Sequence, residues 1–161
     1  TTYFESGNLK ISSKGEVMGY ADEGHKQFGS LIINEKYEGV TIKHIASRAF
    51  DGQTGIDEII LPKTLVSIGN YAFQDIKSPV NYTSDHDPLI PIEWDLSHLI
   101  DLESIGEGAF QGKNNKQTLS FNLKNLSKLK IIDYYAFYSR NISSINFEGV
   151  TKLETIGGGF L

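Results

Sequence analysis

One spacing recurs along this chain and limits what it can fold into. Ala49-Phe50, Ala72-Phe73, Ala109-Phe110 and Ala136-Phe137 each follow an isoleucine that stands five residues before the phenylalanine, at Ile45, Ile68, Ile105 and Ile132. Three residues before each isoleucine stands another aliphatic side chain: Ile42, Leu65, Leu102 and Leu129. The shared frame is L-x-x-I-x-x-x-A-F. A fifth copy keeps Leu153 and Ile156 but continues Gly157-Gly158-Gly159-Phe160-Leu161, with Phe160 and Leu161 where alanine and phenylalanine stand elsewhere. A chain with this periodicity stacks one supersecondary unit on the next, because no single copy can bury its own apolar face.

Upstream of the frame the last three copies agree further. Trp94, Leu96 and Leu99 match Phe121, Leu123 and Leu126, and then Ile145, Phe147 and Val150, at equal offsets from the anchor isoleucine. Apolar positions two apart predict a strand with alternate side chains inward, and the later steps of three predict a bend before a second short strand. Each copy then closes in a tight turn, read here as a short helical or 3-10 turn that packs alanine against a neighbour and plugs the gap with the phenylalanine ring. Gly69, Gly106 and Gly157 follow the anchor in three copies, but Ala46 and Asp133 take that place in the others, which argues against an obligatory left-handed backbone there.

Successive anchors lie 23, 37, 27 and 24 residues apart, so one interval carries an insertion. It falls within 74–91, where Pro79, Pro88 and Pro91 accompany Asn81, Ser84, Asp85 and Asp87, a composition suited to an exposed loop. Residues 1–30 lack the frame. Within them Leu9 and Ile11, then Val17 and Tyr20, flank the turn signal Ser12-Ser13-Lys14-Gly15, which predicts a β-hairpin serving as an N-terminal cap over the first apolar face. About five repeats then occupy 31–161. The sequence stops inside a repeat, so the natural protein is expected to continue.

The segment Ile59-Ile60-Leu61-Pro62-Lys63-Thr64-Leu65-Val66-Ser67-Ile68-Gly69-Asn70-Tyr71-Ala72-Phe73 resembles the BspA-like, or Treponema pallidum type, leucine-rich repeat. The resemblance covers about 31–161 and departs from the family pattern in lacking the cysteine that often follows the phenylalanine. It implies a leucine-rich repeat solenoid, a short curved horseshoe that is mainly β. It also implies a surface-anchored or secreted bacterial protein that binds a protein or glycan on host or neighbouring cells. A passive stalk or spacer is the rival expectation, and a targeting module attached to an enzyme domain elsewhere in the chain is a third.

Catalytic motifs are missing where their spacing would have to appear. The nearest approach to a phosphate loop, Gly106 to Asn114, has the wrong glycine spacing and ends Lys113-Asn114, without the hydroxyl that a nucleotide-bound magnesium requires. Asp85-His86-Asp87 lacks the glycine and terminal glutamate of a calcium loop and is read as solvated. His25, His44 and His98 are dispersed, and no G-x-S-x-G elbow occurs. The expectation is no enzyme, no cofactor and no metal. A net charge of -5 with no basic cluster argues against nucleic acid, and no apolar run reaches the roughly 18 residues of a membrane span. With no cysteine, neither disulfides nor thiolate chemistry can contribute. Asn81, Asn125 and Asn141 begin sequons that matter only in a eukaryotic secretory pathway.

The strand pleat gives the candidate binding face. If Trp94, Phe121 and Ile145 point inward, then Glu93 and Asp95, Ser120 and Asn122, and Asn146 and Glu148 point outward, and Glu58 is expected to join them from the preceding repeat. Such a ladder of carboxylates and small polar groups suits a basic or hydroxyl-rich partner. The insertion supplies a candidate binding loop through Asn81, Tyr82, Asp85, His86 and Asp87.

Overall fold

A computed structural model describes residues 2–22, 29–53, 56–76, 92–112, 119–138 and 142–159. The anchor isoleucines form its most continuous element. Strands β7 (His44–Ile45), β9 (Ser67–Ile68), β11 (Ser104–Ile105), β13 (Ile131–Ile132) and β15 (Thr155–Ile156) pair in parallel, in register, one per coil. Their isoleucines fall one above the next. Ile45, Ile68, Ile105 and Ile132 are buried, as are Ile42, Leu65, Leu102 and Leu129 three residues earlier. The coils are numbered one to five by these anchors.

The N-terminal segment joins the same sheet. β2 (Leu9–Ser12) and β3 (Glu16–Tyr20) form the antiparallel hairpin predicted from their turn signal, with Leu9 opposite Tyr20 and Ile11 opposite Val17. β1 (Tyr3–Ser6) pairs antiparallel with β2, and β3 pairs in parallel with β7, giving an eight-stranded sheet in the order β1-β2-β3-β7-β9-β11-β13-β15. Ser12 closes the hairpin: its hydroxyl oxygen accepts from the backbone N–H groups of Lys14 and Glu16, each at 3.3 Å. A second, unforeseen hairpin links β5 (Lys36–Tyr37) to β6 (Val40–Thr41), where Glu38 and Gly39 both take positive φ, as a two-residue turn between twisted strands requires.

The longer upstream strands line another side of the coils. β10 (Ile92–Asp95), β12 (Leu119–Asn122) and β14 (Ile142–Asn146) form a parallel three-stranded sheet, and β4 (Gly29–Ile32) pairs in parallel with β8 (Ile56–Ile60). Among the described residues no ladder joins β8 to β10, and the 37-residue interval lies between their coils. The anchor sheet crosses that interval unbroken. The Val66 carbonyl accepts from Glu103 N at 2.8 Å, and the Ile68 carbonyl from Gly106 N at 2.8 Å. The anchor strands therefore keep their register across this interval.

The Ala-Phe turns correct the sequence expectation of short helical or 3-10 turns, since no helix occurs among the described residues. The reason is a left-handed residue three positions after every anchor: Arg48, Tyr71, Gly108, Tyr135 and Gly159 have φ between 56° and 68°. A left-handed residue interrupts the run of right-handed dihedrals that any helix needs. Alternate turn donors go to the next coil instead. Phe50 N, Phe73 N and Phe110 N donate to the carbonyls of Ala72, Ala109 and Ala136 at 2.8 to 2.9 Å. This holds the phenylalanines in a column, with Phe50, Phe73, Phe110 and Phe137 stacked at centroid separations of 5.6 to 5.7 Å and Tyr20 edge-on to Phe50 at the N-terminal end.

The glycine after the anchor has a different cause from the left-handed one. Gly69, Gly106 and Gly157 do not have positive φ, but a Cβ at Gly106 would lie 2.7 Å from Asn70 N, and one at Gly157 would lie 2.3 Å from Tyr134 N. Close approach of adjacent coils, not dihedral freedom, excludes the side chain.

Candidate binding face

Strand parity places the outward rows much as the pleat requires. Trp94 and Phe121 are buried and Ile145 is half-buried; between them Asp95 and Asn146 are exposed and Asn122 is half-buried. Register aligns them: Asp95 is the partner of Asn122, and Asn122 of Asn146. A second row runs from Glu93 to Ser120 and on to Ser144, which sequence reasoning did not single out because a bulge between Leu119 and Ser120 shifts the pairing by one residue.

The first row is committed to its own turns. Asp95 Oδ1 accepts from Ser97 N at 2.9 Å and from the Ser97 hydroxyl at 2.5 Å, Asn122 Oδ1 from Lys124 N at 3.0 Å, and Asn146 Oδ1 from Glu148 N at 2.9 Å. Three coils thus repeat one Asx turn, in which a short polar side chain satisfies the backbone donor two residues on. The first two coils meet the same need otherwise: Asn34 N donates to the Tyr37 hydroxyl at 2.9 Å, and Pro62 has no N–H to satisfy. Without the Asx requirement, the outward positions there are the exposed Ile32 and Ile60, partners across β4 and β8. This row is therefore isoleucine in the first two coils and Asp or Asn in the last three.

Asp95 is the titrating member of that row. The Ser97 hydroxyl, then the Ser97 amide and the His98 charge, hold its carboxyl below the usual carboxylate range, against the opposing effect of desolvation. Glu148 lies in the turn after β14, and its carboxylate is 3.7 Å from Lys124 Nζ in a largely exposed ion pair. Glu58 stands in β8 as partner of Ser30, not in the three-stranded sheet, so the hydrogen-bonded rows do not extend to it. His98 reaches across this gap, with Nε2 at 2.9 Å from the Leu61 carbonyl oxygen. Asn81, Tyr82, Asp85, His86 and Asp87 lie outside the described residues.

Residues 25–86 and 95–160 match the BspA type leucine rich repeat region, in six copies. The chain belongs to that family. The match passes over 87–94, which overlaps the end of the 74–91 insertion inferred from the repeat spacing. No curated protein and no solved structure matches the chain. As a BspA type repeat protein it has the architecture of an interaction scaffold, and no described helix is long and apolar enough to cross a membrane. Missed from sequence were the exposed Ile32 and Ile60, Ser144, and the tyrosines of the fourth coil, Tyr134, Tyr135 and Tyr138. The tyrosines had a legible signal, since they occupy turn positions that the third coil fills with Glu107, Gly108 and Gln111.

Proposed function

We propose that the chain is an extracellular recognition module of a bacterial surface or secreted protein, contacting a protein or glycan on host or neighbouring cells through the three-stranded sheet. The observation that carries this reading is the pair of in-register rows, Glu93–Ser120–Ser144 and Asp95–Asn122–Asn146, on a scaffold of the BspA type. In this reading residues 1–30 close the N-terminal end of the stack, 31–161 present the repeats, and Asn81, Tyr82, Asp85, His86 and Asp87 form a secondary contact loop. Membership of a repeat family associated with interaction and adhesion supports the role, and the acidic rows favour a basic or hydroxyl-rich partner.

A second reading, a passive stalk, draws support from one specific observation: Asp95, Asn122 and Asn146 each already serve a turn. Titrating the immobilised chain with purified matrix proteins and with intact bacterial cells separates the two. The recognition reading expects saturable binding that weakens with salt and falls further in the Glu93→Lys, Asp95→Lys double variant. Saturable binding that ignores the double variant moves the contact to the insertion, and no saturable binding leaves the stalk.

A further inference from the structure

The turn side of the fourth coil differs from every other. At the positions two, three and six residues after its anchor it carries Tyr134, Tyr135 and Tyr138, which are 56%, 45% and 42% exposed. These rings stand on a braced backbone, not a free loop. Gly108 N donates to the Tyr134 carbonyl at 2.9 Å, Gly112 N to the Tyr138 carbonyl at 3.1 Å, and Tyr135 N to the Gly158 carbonyl at 3.2 Å. Tyr135 keeps its ring at φ 58°, as Tyr71 does at φ 56° in the second coil, where the third and fifth coils use Gly108 and Gly159.

The rings also form a shaped surface. Tyr135 and Tyr138 meet edge to face, with centroids 5.2 Å apart and planes at 79°, which gives a floor and a wall. Glycines in the fifth coil let its backbone lie against this group, since a Cβ at Gly159 would come 2.6 Å from the Tyr135 ring, yet the three tyrosines remain 42% to 56% exposed. The third coil, hydrogen-bonded directly to this turn, places Glu107 and Gln111 at the positions corresponding to Tyr134 and Tyr138. The Glu107 carboxylate accepts from the Tyr71 hydroxyl of the second coil at 2.9 Å.

Aromatic faces with a carboxylate and a carboxamide in the adjoining coil match a ligand that is apolar on one face and hydroxyl-rich at its edge. We propose that Tyr134, Tyr135 and Tyr138 form a platform for a neutral pyranose, with its C–H face on the rings and its hydroxyls toward Glu107 and Gln111. Size favours a saccharide over a protein. Three half-exposed rings present on the order of 300 Å², well below the roughly 800 Å² that each partner contributes to a standard protein interface. Charge favours a neutral sugar, because the chain carries -5 and Glu107 and Asp133 border the rings, which repels sulfated or carboxylated saccharides. The inference deepens the recognition reading by naming a ligand class, yet it uses the turn side of the coil and is independent of the polar rows.

Saturation-transfer NMR on the intact chain tests it, with neutral tetrasaccharides of gluco, galacto and N-acetylglucosamine configuration and a sulfated tetrasaccharide for comparison. At least one neutral probe should bind with a Kd of about 1 mM or tighter. The Tyr134→Ala, Tyr138→Ala double variant should weaken that binding by about tenfold or more, which corresponds to about 1.4 kcal/mol. Should that variant melt early, Gly158→Gln provides the second arm: a Cβ there meets only the Tyr134 ring, at 3.7 Å, so the new side chain can cover the platform without removing a ring. Glu93→Lys with Asp95→Lys should leave saccharide binding unchanged, so failure here and failure of the three-stranded face are read separately. No response to any neutral probe, binding indifferent to both turn variants, or preference for the sulfated probe overturns the proposal. Tyrosine-dependent capture of a purified matrix protein without any saccharide response overturns it in favour of a protein ligand.

Discussion

The fourth and fifth coils carry the same aliphatic spacing and have opposite burial. Leu123, Leu126, Leu129 and Ile132 are sealed in the fourth, whereas Phe147, Val150 and Leu153 at the matching offsets in the fifth are half-buried and Ile156 is 46% exposed. Residue type does not explain the contrast. Position does: β12 lies between β10 and β14 and β13 between β11 and β15, while among the described residues β14 and β15 pair on one side. In a repeat stack the core belongs to the interface between coils and not to the coil, so identical motifs differ in what they contribute.

The sharpest way to break this comparison is to delete one ring from each kind of coil. Phe110 stacks between Phe73 and Phe137 and meets Trp94 edge-on at 5.1 Å, so Phe110→Ala should cost about 3 to 5 kcal/mol in urea unfolding. Phe147→Ala opens no closed cavity and should cost less than about 1.5 kcal/mol. Equal losses at the two positions would show that the final coil is as tightly packed as the interior. A loss below about 1 kcal/mol at Phe110 would remove the phenylalanine column from the core altogether.

Glycines sharpen the same contrast at a smaller scale. A Cβ at Gly106 would meet Asn70 Oδ1 at 2.6 Å and Gly69 C at 2.7 Å, so two backbones must separate, and Gly106→Ala should destabilise by about 1 to 3 kcal/mol. At Gly158 the nearest atoms would be the Tyr134 ring carbons at 3.7 Å, an ordinary contact, and φ is not positive. Gly158→Ala should therefore fall within about 0.5 kcal/mol of the wild type. Thermal melts of the two variants side by side suffice, and a neutral Gly106→Ala would show that the coils can part without loss.

Periodicity made the fold legible because the anchor isoleucines and the Ala-Phe pairs report contacts that every coil repeats. Ile45, Ile68, Ile105 and Ile132, with Phe50, Phe73, Phe110 and Phe137, are buried as their spacing requires. What the spacing could not reveal is the left-handed residue three places after each anchor, since Arg48, Tyr71, Gly108, Tyr135 and Gly159 are of three different types and only the backbone unites all five. The candidate face was legible by parity but not by role. Alternation shows that Asp95, Asn122 and Asn146 point outward; it cannot show that each closes a turn, a fact carried by the donor two residues on. Glu58 fell outside the rows because alternation alone does not reveal a break in a ladder, and β8 pairs only with β4 among the described residues.

The smallest effect compares coils that build one turn with different chemistry. Asp95, Asn122 and Asn146 accept the same backbone donor, yet only Asp95 titrates. The Ser97 hydroxyl leads the interactions that lower its pKa from 3.8, so protonation is harder in the folded chain than in the unfolded one. A depressed folded pKa stabilises the native state fully above the unfolded value, and that stability is lost as pH falls through the folded value. The stability difference between wild type and Asp95→Asn should stay level above about pH 5, then shift against the wild type as pH drops below 4, by less than about 1 kcal/mol because water screens an exposed carboxylate. Asn122→Asp should import a smaller acid sensitivity into the fourth coil, since Lys124 N, at 3.0 Å in the native turn, remains a donor but no hydroxyl stands at that position. Urea midpoints of the three proteins between pH 3 and 6 read this directly. A level wild-type difference across that range would mean that the Ser97 hydrogen bonds persist in the unfolded chain, and the Asx turn would then be a local preference and not a product of stacking.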